Sequence, residues 1–358
     1  MILLATKGSK RVRLLQAARA QRDLPPARVL EWRDWLAEPA LLDAALKTPC
    51  LFKIEPPGDD ALAQLQLLHD GCRLLERAPV RAPEHGELLA MDAWFAGFSA
   101  AMRRLSIRLA ALPQARVVNA PSEITLMTDK LACQGHLAGH GAAIPALLGR
   151  IDSYDHLQSL LQQHDLDRVY LKPRYGSSAS GVVAYRRNRS GRQQATTSAS
   201  IVHTNGETRL FNVKRMVRHE SAAEIATLVD ALAAQELYAE AWLAKPRCGD
   251  SHYDLRVVAI AGQPAHRVAR LGRQMMTNLH LDNRRGDAAT LLNEADMAAL
   301  DATVLQAARA FPASGVAGYD LVVRRGQAHV LEANAFGDLL PGLLWRGLDT
   351  YGWHMRDA

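Results

Sequence analysis

The stretch HVLEANAFGD, His329–Asp338, decides how this chain is read. An apolar, strand-like run ends in a carboxylate, Glu332, and a carboxamide, Asn334, follows two residues later. Side chains alternate faces along a strand, so Glu332 and Asn334 share one. YDLVVRR and AHVLEAN flank a short loop at Arg325-Gly326-Gln327, the pattern of a β-hairpin. With a three-residue loop, Arg324 faces Ala328, Val322 faces Val330, and Asp320 falls opposite Glu332. Directly opposed Cβ atoms lie about 5 Å apart, so the two carboxylates repel unless a cation lies between them. Asp, Glu and Asn oxygens suit Mg²⁺, with water and phosphate oxygens completing its octahedron. Asp320, Glu332 and Asn334 are therefore candidate ligands for a nucleotide–Mg²⁺ complex. On this stretch alone, a hairpin whose polar face simply meets water fits equally well.

Upstream, YLKPRYGSSASGVV (170–183) delivers Lys172 from a strand into a loop holding Gly176, Ser177, Ser178, Ala179, Ser180 and Gly181. Glycines let backbone approach a ligand closely, and loop N–H groups and hydroxyls can cradle phosphate. No G-x-x-x-x-G-K-[ST] occurs, which excludes a P-loop. A flexible linker is the competing reading, and the strand-like runs on both sides weigh against it.

Together these two stretches resemble the ATP-grasp superfamily, the nucleotide-binding fold of glutathione synthetase, D-alanine–D-alanine ligase and the ribosomal-protein glutamate ligases. The ending EANAFGD is similar to the family's E-x-N-x-x-P-G, with Phe336 where proline is common. The loop resembles K-P-x-x-G-S-x-x-x-G-V, which implies that Lys172 meets the α-phosphate side of ATP and that the loop closes over the β- and γ-phosphates. The family's basic residue near Ala179 is missing. NAPSEITLMTDKLACQGHLAGHGAAIP resembles a third family segment, matching at Asn119, Asp129 and Lys130 and implying a second nucleotide lysine, Lys130. One helix holds Asp129-Lys130 in this reading and stops at Gly139 or Gly141. In LYAEAWLA, Glu240 takes the place of the glutamate that contacts the base or ribose, although a plain edge strand explains that run nearly as well. YDLRVVAIAGQPAHRVAR matches the family's D-x-R at Asp254 and Arg256, which places Arg256 at the γ-phosphate, with Arg267 and Arg270 adding to the field. T-N-L-H makes Asn278 a phosphate or metal neighbour, but the LDNRRGD that follows departs from the family's glycine pair.

The expected fold is α+β: an ATP-grasp unit preceded by an N-terminal α/β domain, divided at 1–118, 119–236 and 237–358. The resemblance implies an ATP-dependent carboxylate–amine ligase working through an acylphosphate, with ATP and Mg²⁺ (Mn²⁺ as a substitute). A kinase of the same fold and a non-catalytic nucleotide-binding protein are the rivals. The resemblance leaves the substrate as a small molecule or a peptide, and a homodimer as one outcome.

The bulk numbers agree. Over 358 residues, 43 Lys and Arg against 37 Asp and Glu give a net charge of +6, which suits anionic ligands without demanding nucleic acid. Cys50, Cys72, Cys133 and Cys248 form no C-x-x-C pair, which fits free thiols in a reducing cytoplasm. The opening MILLATKGSKRVRLL is apolar for too short a run to cross a membrane. His136 and His140 have the spacing of a zinc pair but no clear third ligand, and no G-x-S-x-G marks a serine nucleophile.

Overall fold

The chain begins by alternating short apolar strands with amphipathic helices, a pattern that buries a parallel sheet between helical layers. In the computed structural model, which describes residues 1–176, 180–204, 206–274, 276–277 and 283–355, these segments are β1 (Ile2–Ala5), β2 (Arg28–Glu31), β3 (Cys50–Ile54) and β4 (Ala115–Val118). They pair in parallel in the order β2-β1-β3-β4. Helices Ala61–Leu74 and Met91–Ala110 cover this sheet and cross each other at two glycines. A Cβ on Gly71 would lie 1.6 Å from the carbonyl oxygen of Ala93, and one on Gly97 1.9 Å from that of Leu67. Only glycine allows so close a crossing.

The second sheet is formed by β5 (Leu147–Ile151), β6 (Arg168–Pro173), β7 (Val183–Arg187), β8 (Gln193–Thr204), β9 (Glu207–His219) and β10 (Leu237–Ala241), ordered β5-β10-β6-β7-β8-β9. β10 lies between β5 and β6, so this sheet continues past residue 236, the boundary read from the sequence. Helices Tyr154–Gln163 and Ala222–Ala233 bury Leu157, Leu161, Ile225, Leu228, Val229 and Leu232 against it. The third sheet joins β11 (Arg247–Cys248), β12 (Ser251–Ile260), β13 (Gln263–Gly272), β14 (Arg284–Gly286), β15 (Val316–Arg324) and β16 (Gln327–Asn334). Its order is β14-β13-β12-β15-β16, with β11 paired to β12.

The first and third sheets share one apolar core, from Leu4, Trp32 and Phe52 to Leu255, Tyr319 and Val330, whereas the second sheet has a core of its own. The cleft between the second and third sheets therefore separates two independently packed lobes.

Two local expectations need correction. The stretch 121–139 is two helices, Pro121–Thr128 and Lys130–Gly139. Asp129 is extended between them and caps the second helix by accepting the N–H of Ala132. Arg174 grips the same carboxylate with two hydrogen bonds of 2.7 Å. The β15–β16 loop is also shorter than three residues. Arg325 and Gly326 both have positive φ, 54° and 72°, as a two-residue type I′ turn requires. The register then runs Arg324↔Gln327, Val323↔Ala328, Val322↔His329 and Leu321↔Val330. A bulge follows, and Asp320 meets Glu332 after all.

Candidate nucleotide site

Strand register alone assembles most of the site. On β12, Asp254 and Arg256 are two residues apart and share a face. Asp254 opposes Arg270 on β13, Arg256 opposes Asp320 on β15, and Asp320 opposes Glu332 on β16. One sheet face thus carries five charges on adjacent strands. Arg270 forks onto Asp254 at 2.7 and 2.9 Å and reaches Asp320 at 3.1 Å. Arg256 holds both oxygens of Asp320, the Nη2–Oδ2 bond being 3.0 Å, and its Nη1 reaches Asp338 at 2.9 Å. Burial works to raise the carboxyl of Asp320, but Arg256 and Arg270 outweigh it and hold it below the usual range. Asp254 is likewise lowered, with Arg270 and Lys245 overcoming burial.

Across the cleft stand Lys172 on β6 and Glu240 on β10. They form an ion pair, and Lys172 also donates to the carbonyl of Leu331 at 3.2 Å, tying the second lobe to the third sheet. Glu240 is 1 % exposed, and burial raises its carboxyl against the pull of Lys172. Lys130 opens its helix, donates to the carbonyl of Gly176 and lies 3.8 Å from Glu332. Burial lowers its ammonium and Glu332 opposes the shift. The cleft lined by Lys130, Lys172, Glu240, Asp254, Arg270, Asp320 and Glu332 encloses about 80 Å³.

Asp320, Glu332, Arg256, Arg270, Lys130, Lys172 and Glu240 are thus brought together. Asn334 pairs with Gly318 at the same end of the hairpin and donates to its carbonyl at 3.4 Å. Gly176 adopts φ +108° beside Lys130, while Gly181 (φ +70°) packs where a Cβ would meet Pro173 at 2.8 Å. Ser177, Ser178 and Asn278 lie outside the described residues. Arg267 does not join the field: three residues from Arg270 it occupies the opposite face of β13 and pairs with Asp301 at 2.7 Å. Asn119 is structural. With φ 61° it donates to Val316 O at 2.6 Å and to Ala335 O, and accepts from Val316 N, stitching β4 to β15 and to the segment after β16.

Three residues of the site were missed by sequence reasoning. Lys245, between β10 and β11, donates to Asp254 and Thr277 at 2.9 and 2.8 Å. It follows an aperiodic coil, so nothing local marked it. Asp338 was in the deciding stretch, but its partner Arg256 is 82 residues away. Tyr170 was read as part of a strand and lines the cleft.

The donor set suits Mg²⁺. Two carboxylates and an amide are hard oxygen ligands that leave positions for water and phosphate, and Arg256 and Arg270 keep Asp320 ionised. Among the described residues no three His, Cys, Asp or Glu converge as a metal-binding cluster, and the set here is two carboxylates with the Asn334 amide. His136 faces the carbonyl of Ala310 and His140 that of His136, so the pair is used internally. Among the described residues, no helix is long and apolar enough to cross a membrane.

The sequence matches no family model and no curated protein. Solved structures do match. D-cycloserine synthetase DcsG superposes with a TM-score of 0.55 at 16 % identity, covering 94 % of this chain and 92 % of that one. The ATP-grasp ligase PsnB, complexed with a phosphomimetic variant of its minimal precursor, Mg and ADP, gives 0.55 at 15 % identity, with 98 % and 95 % covered. Biotin carboxylase from Campylobacter jejuni, in its β-γ-ATP complex, gives 0.54 at 11 % identity, with 95 % and 66 % covered. At such identities the likeness is one of fold.

Proposed function

We propose that this chain, which has the ATP-grasp fold, is an ATP-dependent carboxylate–amine ligase that activates its acid as an acylphosphate. The observation that carries the reading is the charge pattern of the cleft. Asp320 and Glu332 stand directly opposed on one wall beside two buried guanidiniums; Lys130 lies 3.8 Å from Glu332, and Lys172 reaches the cleft from the second sheet. Strongly perturbed titratable groups gathered in one cleft mark a functional site.

In this reading Lys172 and Lys130 bind the phosphates of ATP, and Glu240 keeps Lys172 in place. Asp320, Glu332 and Asn334 would hold Mg²⁺, which would supply neutralisation of phosphate charge. Arg256 and Arg270, anchored on carboxylates, supply fixed positive charge near the transferring phosphoryl group, and electrostatic stabilisation is most of what such a transfer asks of a protein. A carboxylate oxygen of the substrate attacks the γ-phosphorus and ADP leaves. The amine nitrogen then attacks the acyl carbon, phosphate leaves, and an amide remains. The substrate is a small molecule or a peptide.

The test is ADP release from Mg²⁺-ATP in a metabolite or peptide pool with hydroxylamine as surrogate amine. ADP together with a hydroxamate supports an activated carboxylate, and mass spectrometry of the adduct identifies the acid. ADP with a stable phosphorylated product instead makes the protein a kinase.

A further inference from the structure

The charged face of the third sheet does not stop at β13. The edge strand β14 lies against β13, and its register sets Arg285 directly opposite Arg270 and Arg284 opposite Leu271. Cross-strand partners share a face, so Arg285 continues the row of Asp254 and Arg270 toward the open edge of the sheet, whereas Arg284 belongs to the other face. β14 is closely held. Asn283 donates to the carbonyl of Met276 at 2.9 Å, a Cβ on Gly272 would lie 2.2 Å from Oδ1 of Asn283, and one on Gly286 2.4 Å from Leu271. Arg285 is thus presented from a fixed strand. It stands in the NRRGD run, where the sequence departs from the glycine pair of the proteins it resembles.

Like charges directly opposed on neighbouring strands repel. Arg270 is neutralised where it stands, by Asp254 and Asp320. Lys245 holds Asp254, and Arg256 holds Asp320 and Asp338. Every one of those carboxylates already serves another cation. Among the described residues Arg285 forms no ion pair; it is exposed, and its Nη1 donates to the carbonyl of Pro341 at 2.9 Å. A guanidinium is a planar fork of donors with permanent charge, matched to carboxylate or phosphate. In the order β14-β13-β12-β15, Arg285 is three strand spacings, about 14 Å, from the strand of Asp320. An anion held at Arg285 is therefore a different group from a carboxylate activated beside Asp320.

We propose that Arg285 selects the acid substrate: it binds a second anionic group, carboxylate or phosphate, on an extended acid whose reacting carboxylate lies beside Asp320. The inference rests on the ligase reading of the cleft. An acid that lacks the second group leaves Arg285 opposed to Arg270, as in the free protein, and forgoes one charge-assisted bond.

The experiment adds Mg²⁺-ATP and hydroxylamine to the full chain, to R285Q and to R284Q, with a pool of metabolites and peptides, and identifies the hydroxamates by mass spectrometry. The expected main adduct of the wild type retains a second anionic group, and its composition tells carboxylate from phosphate. With that acid as sole substrate, R285Q raises its KM about 10-fold or more, while kcat and the KM for ATP stay within about twofold. R284Q removes the same charge from the other face of the same strand and stays within about twofold throughout. Capping the second group as an amide or ester costs the wild type the same factor and costs R285Q nothing further. An adduct with no second anionic group overturns the proposal, as does an R285Q that behaves like R284Q. So does a capping cost that is equal in R285Q and wild type, since the arginine then acts only through Pro341. No hydroxamate from any pool, with ATP bound, refutes the ligase reading, and the proposal falls with it.

Discussion

Replacing Asp320 by Asn and, separately, Glu332 by Gln tests whether the two opposed carboxylates have different work in the free protein. Asp320 is 3 % exposed and holds two buried guanidiniums, those of Arg256 and Arg270. Removing one partner of a buried ion pair costs about 3–5 kcal/mol, because a desolvated charge is left behind. Each arginine keeps another carboxylate, Asp338 or Asp254, so the D320N cost falls at the lower end, about 3 kcal/mol. Glu332 has a side chain that is 28 % exposed and, among the described residues, a single paired cation, Lys130 at 3.8 Å. A pair that open and that long contributes at most about 1 kcal/mol. Urea unfolding without nucleotide therefore shows D320N strongly destabilised and E332Q near wild type. ADP release falls in both, by more than the roughly 10- to 100-fold that partners outside the metal's own shell cost. A D320N variant as stable as wild type would refute the energetic argument. An E332Q variant with wild-type turnover would remove Glu332 from the metal set.

Three further outcomes follow. The carboxyls of Asp254 and Asp320 are held below their unfolded value, so their contribution to stability is fully present above about pH 4 and is lost as pH falls toward their folded values. Urea midpoints between pH 7 and 2 should stay level to about pH 4 and then drop, and a midpoint already falling at pH 6 would contradict the assignment. N119A removes three buried hydrogen bonds at a left-handed residue and should cost about 2–4 kcal/mol in urea unfolding, with N119G losing less. D338A leaves Arg256 a single carboxylate and should lower kcat about 10-fold or more while KM for ATP holds within about twofold; a change in KM alone would show that Asp338 acts on binding.

Much of the fold was legible because it rests on local patterns: alternating strands after residue 168, apolar helical stripes, and the Glu-x-Asn strand end. The deciding hairpin is instructive, since Asp320 meets Glu332 as read but by a different route. Arginine is an unusual residue for positive φ, so Arg325 favours no two-residue turn, and the bulge that restores the register leaves no mark in composition. Asp129 does carry a capping signal, but the helix continues so closely on either side that apolar spacing runs through the break. Arg267 and Arg270 were separable by strand parity alone. Lys245, Asp338 and Tyr170 depend on contacts with residues distant in sequence, and no periodicity encodes those.

The third sheet also shows why buried charge is tolerable here before any ligand arrives. Asp254, Arg256, Arg270 and Asp320 cancel in pairs set by register, with no loop required to bring them together. Asp320 is the shared member, and each of its two arginines has a carboxylate of its own: Asp254 for Arg270, Asp338 for Arg256. When the oxygens of Asp320 are engaged elsewhere, both guanidiniums stay anchored, Arg270 on the cleft wall by Asp254 and Arg256 by Asp338. A site in which Asp320 were their only partner would have to reorganise its cations as phosphate bound, and electrostatic stabilisation that must first be rearranged loses much of its value. Duplicate anchoring of the arginines is thus the feature of this sheet that makes one carboxylate free to change partners.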